Sequence, residues 1–243
     1  MKHLLSIFIA LAAFSAVAVA HPADYKLKVQ PFCELTVVDG IGVDCYCVPD
    51  SAGWAVFTCE PELASRIMFN NNAQALTVQT DAEESAIAGL PRIKLYTATL
   101  TRVENSGDSL VRIYAAEPVK SLKAKQIGNG CLEVHNIDAS NVEASVMAGK
   151  GQLSIEGSAQ KATLRNVSTG PIDASRLSAR EINCFILGTG DINCSPVEKL
   201  KVVGAGSGMV IYHNEPAKIT NRGIGVKVRS AAEEPSGELA ANR

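Results

Sequence analysis

The side chains of this 243-residue chain best suited to chemistry are three acids in its second half, Glu133, Asp173 and Asp191, and two histidines, His135 and His213. Cleaving a sugar chain takes two carboxylates about 5–9 Å apart, or carboxylates helped by a calcium ion or a basic residue. The acids also have a plainer use, because aspartate at a turn accepts a hydrogen bond from its own backbone two residues on. No serine, histidine and aspartate fall in a context that would make a nucleophile. Seven cysteines complete the inventory. Cys45-x-Cys47 has no second Cys or His pair at ligand spacing, so no zinc site is expected. The seven include an odd thiol. Cys131, Cys184 and Cys194 read as small apolar core residues, and one or two disulfides in the amino-terminal half stay open. No metal and no cofactor is expected.

Whether the acids meet depends on the elements that carry them. Gly-x-Gly recurs as Gly128-Asn129-Gly130, Gly149-Lys150-Gly151, Gly188-Thr189-Gly190 and Gly206-Ser207-Gly208, with Ser168-Thr169-Gly170 as a degenerate copy. The steps are 21 (128 to 149), 19 (to 168), 20 (to 188) and 18 (to 206). A fixed period near twenty is the mark of a solenoid, each repeat a rung stacked on the last. Aligned on the second glycine, the second residue after it is Leu132, Leu153, Ile172, Ile192 and Val210, and the fourth is Val134, Ile155, Ala174, Cys194 and Tyr212. On strands these alternate positions face one shared core, while Glu133, Ser154, Asp173, Asn193 and Ile211 between them face out. Glu133 and Asp173 are then two rungs apart, about 10 Å, wide for an acid and a base.

Gly128, Gly130, Gly149, Gly151, Gly170, Gly188, Gly190, Gly206 and Gly208 are read as structural corners. Glycine accepts positive φ, and a side chain at an inward corner would block the next rung, about 4.8 Å away. A phosphate-cradling reading fails. Gly204-Ala205-Gly206-Ser207-Gly208 lacks the lysine and hydroxyl of a P-loop and leads into a strand.

Residues 21–120 read as a less regular β region continuous with the solenoid of 121–229. A hairpin is expected around 49–53, and a short helical turn over Asp81–Ala88, N-capped by Asp81. Residues 230–243 read as a flexible tail. Lys2, the apolar Leu4–Ala18 and Ala18-Val19-Ala20 form a signal-peptide pattern, with cleavage after Ala20. The mature chain would carry 22 basic and 25 acidic residues, the signal's one lysine having been lost. That balance argues against nucleic acid and gives no reason to expect adsorption on anionic lipid. No later run is long and apolar enough to anchor in a membrane.

Gly188-Thr189-Gly190-Asp191-Ile192-Asn193 and Gly206-Ser207-Gly208-Met209-Val210-Ile211-Tyr212 resemble phrases of the head GIN domain family of auto-transporter adhesins, mostly from Bacteroidetes. The ending Tyr212–Ile219, the opening Val29–Val37, and the middle phrases Leu90–Tyr96 and Leu100–Gly107 are similar too, so the likeness spans about 28–229. Ser168 departs from the glycine pattern. The resemblance implies a right-handed parallel β-helix-like solenoid, all-β, with an adhesive or scaffolding role beyond the inner membrane. It transfers no catalytic or binding residues.

The sequence therefore points to an exported, non-enzymatic binding or structural protein, an adhesin of the periplasm, outer surface or medium. The alternative is a carbohydrate-active β-helix lyase or hydrolase. A glycan or protein of the envelope is the expected partner, and the open terminal rungs leave edges through which copies could stack end to end. Asp173, Asp191, Tyr212 and Arg165 are named as surface contacts, with Tyr114, Arg176 and Arg180 beside them.

Overall fold

The computed structural model describes residues 21–81 and 88–232. The expected leader at 1–20, most of the turn expected over 81–88, and residues 233–243 of the expected tail lie outside them.

The first strands are β1 (Ala23–Lys28), β2 (Glu34–Val37), β3 (Val43–Cys47), β4 (Trp54–Cys59), β5 (Ile67–Asn72) and β6 (Ala75–Thr80). Next come β7 (Ile93–Thr97), β8 (Arg102–Asn105), β9 (Leu110–Tyr114) and β10 (Val119–Ile127). The long β11 (Cys131–Ala148), β12 (Gln152–Asn166), β13 (Ile172–Ile186) and β14 (Ile192–Ala205) follow, then β15 (Met209–Tyr212), β16 (Lys218–Ile224) and β17 (Lys227–Ser230). A single helical turn, α1, covers Pro61–Ala64.

These strands wind into a β-solenoid with parallel neighbours along most of its length. One side, here the front, runs β6, β2, β8, β10, then the later halves of β11, β12, β13 and β14, and ends on β16. The back runs β7, β3, β9, the early halves of β11 to β14, then β15 and β17. A short third side carries Ala139, Ala159 and Ala179 in register.

The strands form because apolar residues alternate with polar ones at period two, and stacking gives each apolar set a partner. Leu132, Leu153, Ile172, Ile192 and Val210 pair in direct register and form one buried inner row. The row continues backward through Val111 to Val43 and Ile93. On the front, Leu76, Leu35, Val103, Ala124, Ala144, Leu164, Cys184 and Val202 make the matching row.

The amino-terminal region differs from the expectation in order. Spatially, β6 and β7 lie outside β2 and β3, and β8 and β9 return on the inner side. Antiparallel β5 then covers β6, while β4 and β1 cover β7. The hairpin expected at 49–53 is absent. A 3₁₀ turn at Pro49–Ser51 leads into β4, which pairs with β7 and β1 and not with β3. Both edges of β3 are already occupied by parallel β7 and β9, so no edge remains for a hairpin partner. At the other end β17 runs to Ser230, which is buried and donates to the Glu215 carboxylate at 3.1 Å.

Candidate functional site

The Gly-x-Gly phrases sit between the front and the back, and glycine stacks on glycine. A Cβ built on Gly170 would lie 1.8 Å from the Gly151 carbonyl oxygen, on Gly190 2.1 Å from that of Gly170, and on Gly208 2.5 Å from that of Gly190. Gly130, Gly151, Gly188 and Gly206 meet a preceding backbone oxygen within 2.0–2.6 Å in the same way. At Gly128 and Gly149 positive φ, 91° and 81°, is a second requirement. Ser168 replaces the first glycine of its corner. Its hydroxyl accepts from the Gly170 N–H at 3.2 Å, and its own N–H donates to Asn166 Oδ1 at 3.0 Å.

A buried amide closes several of these corners, a feature absent from the sequence reading. Asn166 donates to the Gly170 carbonyl at 2.8 Å and accepts from Ser168. Asn105 donates to Ser109 and Cys131 carbonyls at 2.9 and 3.1 Å and accepts from the Gly107 N–H at 3.1 Å. Asn221 accepts from Gly223 in the same pattern. The signal was present: Asn105, Asn166 and Asn221 stand two residues before Gly107, Ser168 and Gly223, whose N–H groups they accept. Gln126 holds the same place, but its side-chain oxygen is buried without a partner.

The back carries two outward ladders near its amino-terminal end. Tyr96, Tyr46, Tyr114 and His135 stack in sequence, with ring centroids 5.4, 4.9 and 5.1 Å apart. The stack then passes to ions: His135 Nδ1 lies 2.7 Å from Glu156 Oε1, and Arg176 binds Glu156 Oε2 at 2.8 Å. Beside it Arg92 binds Asp44 at 2.6 Å, and Arg112 bridges Asp44 and Glu133 at 3.8 and 3.1 Å. Burial, then the Asp44 carboxylate and the neighbouring tyrosines, push the Tyr46 phenol above its ordinary value. The rings cover one another's faces and present edges to solvent, so the stack gives a sugar little ring face to lie on.

The front divides into two electrostatic halves. Toward the amino terminus Arg102 meets Glu34 and Glu104 at 3.8 and 3.1 Å, Lys125 meets Glu104 at 3.4 Å, and Lys123 meets Glu143 at 3.8 Å. Glu34, Arg102, Lys123, Lys125 and Glu143 line a groove of about 460 Å³. Burial alone would raise the Glu104 carboxyl, but hydrogen bonds from Arg102 and Ser106 and the Lys125 ammonium hold it below its ordinary value. Toward the carboxyl terminus the outward positions are Lys161, Arg165, Lys199, Lys201, Lys218 and Arg222, with Glu181 the acid set among them. None of these six cations makes an ion pair within 4 Å among the described residues; Arg165 instead lies over the Phe185 ring, 5.0 Å from its centroid.

The residues named as contacts do not converge. Asp173 faces out on the back and accepts from the Ser175 N–H at 3.0 Å. Asp191 stands at a corner and accepts from the Met209 N–H at 2.8 Å, tying one rung to the next. Tyr212 lies between Cys194 and Ser230 in an inner row and is half-buried against the core. Arg165 lies on the front, and Arg180 pairs with Glu198 at 2.7 Å on that side's margin. Glu133 and Asp173 are two rungs apart in register, with Ser154 between them. His213 lies 3.4 Å from Asn193. Among the described residues no three His, Cys, Asp or Glu are grouped so as to hold a metal ion. All seven cysteines are free thiols. Cys184 and Cys194 are buried, whereas Cys131 is only half-buried because its side chain starts a strand on the outward side. The adjoining Cys194 thiol and burial push the Cys184 thiol well up.

Stacked rungs around an apolar interior define a β-solenoid. The chain belongs to the family described as "Putative auto-transporter adhesin, head GIN domain", whose model matches residues 31–216. Among solved structures it is similar to a putative adhesin from Bacteroides fragilis (18% identity, TM-score 0.74, 86% of this chain and 97% of that one). It is similar also to a putative lipid binding protein from Parabacteroides distasonis (18%, TM-score 0.68, 86% and 96%). A putative adhesin from Parabacteroides merdae matches with 16% identity and TM-score 0.65, over 86% of this chain and 95% of that one. These likenesses establish a shared fold. No curated protein matches the chain. No helix among the described residues is long and apolar enough to cross a membrane.

Proposed function

We propose that this protein is exported and acts without catalysis, as a binding protein of the cell envelope that engages its ligand along the side of the solenoid. The observation that carries this reading is the use made of the acids. Asp173 and Asp191 are spent on backbone N–H groups, and Glu133 is held by Arg112. Asp191 ties one rung to the next, and Asp173 closes a turn within its own rung. Glu133 and Asp173 stand two rungs apart, about 10 Å at strand spacing and wide for an acid–base pair. The regular flank in turn suits an extended ligand or surface. Family membership supports the adhesin reading, and the lipid-binding name of one structural relative keeps lipid among the ligand classes.

A glycan array run beside a panel of polysaccharide lyase and hydrolase substrates tests the reading. Ligand capture without turnover is the expected result. Turnover that disappears in Asp173→Asn or Asp191→Asn would replace it with the β-helix enzyme.

A further inference from the structure

We propose that the carboxyl-terminal half of the front, together with the ridge beside it, docks on an anionic lipid bilayer. This deepens the binding-protein reading and rests on it. The chain as a whole is close to charge balance, at −2, which by itself gives no reason to expect lipid adsorption. The fold changes that conclusion by sorting the charges. Register places Lys161, Lys199 and Lys218 in one outward column with Glu181 between the first two, Lys201 in the next column, and Arg165 and Arg222 in the third, a surplus of five positive charges. At strand spacing the set spans three rung steps by four residues, roughly 14 Å each way. Such a plane of cations attracts anionic headgroups, each Lys or Arg adding to the attraction.

The second observation is apolar. Two residues beyond the third column the chain turns the corner, and there Met147, Val167, Leu187, Ala205 and Ile224 line up rung upon rung. Met147 is 36%, Leu187 51% and Ile224 78% exposed. Half-buried Phe185 and Val203 connect this ridge to the arginines. Cations beside protruding aliphatic side chains are the arrangement of a surface that lies on a membrane, with the aliphatic groups entering the headgroup–acyl boundary and the long basic stems reaching back to phosphate. An acidic glycan would share the charge but has no use for exposed Leu187 and Ile224. It would also want an open aromatic face, and Arg165 already covers that of Phe185.

The test is flotation of the purified protein with phosphatidylcholine vesicles, with or without phosphatidylglycerol, at rising salt. Binding is expected only with phosphatidylglycerol and is expected to fall as salt rises. Lys161→Glu/Lys201→Glu/Lys218→Glu should weaken it by about tenfold or more. Leu187→Ser/Ile224→Ser should also weaken it by about tenfold while leaving the salt dependence in place. Lys28→Glu, on β1 away from the patch, should leave it unchanged. Circular dichroism checks that each variant is folded. The proposal is overturned by equal flotation with neutral vesicles, by no flotation, or by binding to polygalacturonate that the ridge variant leaves intact. The last result would assign the patch to an acidic glycan and leave the binding-protein reading standing, whereas that reading falls only if turnover is found.

Discussion

The two ends of the solenoid solve the same problem differently. At the amino-terminal end the chain threads back on itself and covers the outermost rung with antiparallel β1, β4 and β5. At the carboxyl-terminal end β16 and β17 are, among the described residues, the last members of their stacks, and there Ile219 and Ile224 are 41% and 78% exposed. An unpaired strand edge is a template for further pairing, so a capped end stops growth and an open one relies on its side chains. The charge pattern follows the same division. Ion pairs neutralise the front near the cap, whereas toward the other end six cations make no ion pair within 4 Å among the described residues. Irregular winding and mutual neutralisation belong to the half that closes the fold, and regular repetition belongs to the half that offers a surface.

The largest effect should come from the middle of the stack. Leu153→Ala, at a position with no exposure, is expected to cost about 2–5 kcal/mol in denaturant unfolding. Val228→Ala, half-buried on the final strand, should cost far less. Equal losses would mean that the open end is as tightly packed as the centre. Next, Gly170→Ala is expected to lose about 3 kcal/mol, since its Cβ would meet a backbone oxygen at 1.8 Å. Gly40→Ala, near the cap, meets nothing within 4 Å and should shift stability by under about 1 kcal/mol, toward greater stability. A harmless Gly170→Ala would refute close stacking as the reason for the glycine.

The corner amides sharpen the contrast further. Asn166→Ala leaves a buried carbonyl and N–H unpaired and should cost about 1–3 kcal/mol. Asn221→Ala, at the exposed end, should cost under about 0.5 kcal/mol, comparable to an ordinary surface change. The smallest effect lies in the ion pairs of the capped half. The Glu104 carboxyl is held below its ordinary value in the folded protein. Its contribution is therefore present above the unfolded value, about 4.3, and is lost as pH falls through the folded one. Melting temperature against pH, for the protein and for Glu104→Gln, should show two curves that separate at neutral pH and converge in acid. Parallel curves would show that the pair is inert.

Much of the carboxyl-terminal half was legible because its rungs follow one another in the chain. When neighbours in sequence are neighbours in space, a repeat of apolar positions is also a list of contacts, and Leu132, Leu153, Ile172 and Ile192 align as their spacing requires. The cap was not legible, because β6 and β7 stack on β2 and β3 from the far side of an intervening excursion. The aromatic ladder is hidden for the same reason. Tyr114 and His135 are one rung period apart, but Tyr46 and Tyr96 join them only through that out-of-order stacking. Asp173, Asp191, Tyr212 and Arg165 were each visible as residue types, but their separation onto the outer face of the back, a corner, the half-buried inner side of the back and the front depends on where each strand turns.

The sequence alone determined the period, the glycine corners and the inner rows, since these arise from local alternation and from sterics repeated at fixed spacing. Tertiary structure decided which rung lies next to which in the cap. It also decided which of nearly balanced charges share a side. Charge is additive along a chain, but a surface is made only of the side chains that face one way, and that selection happens when the rungs stack.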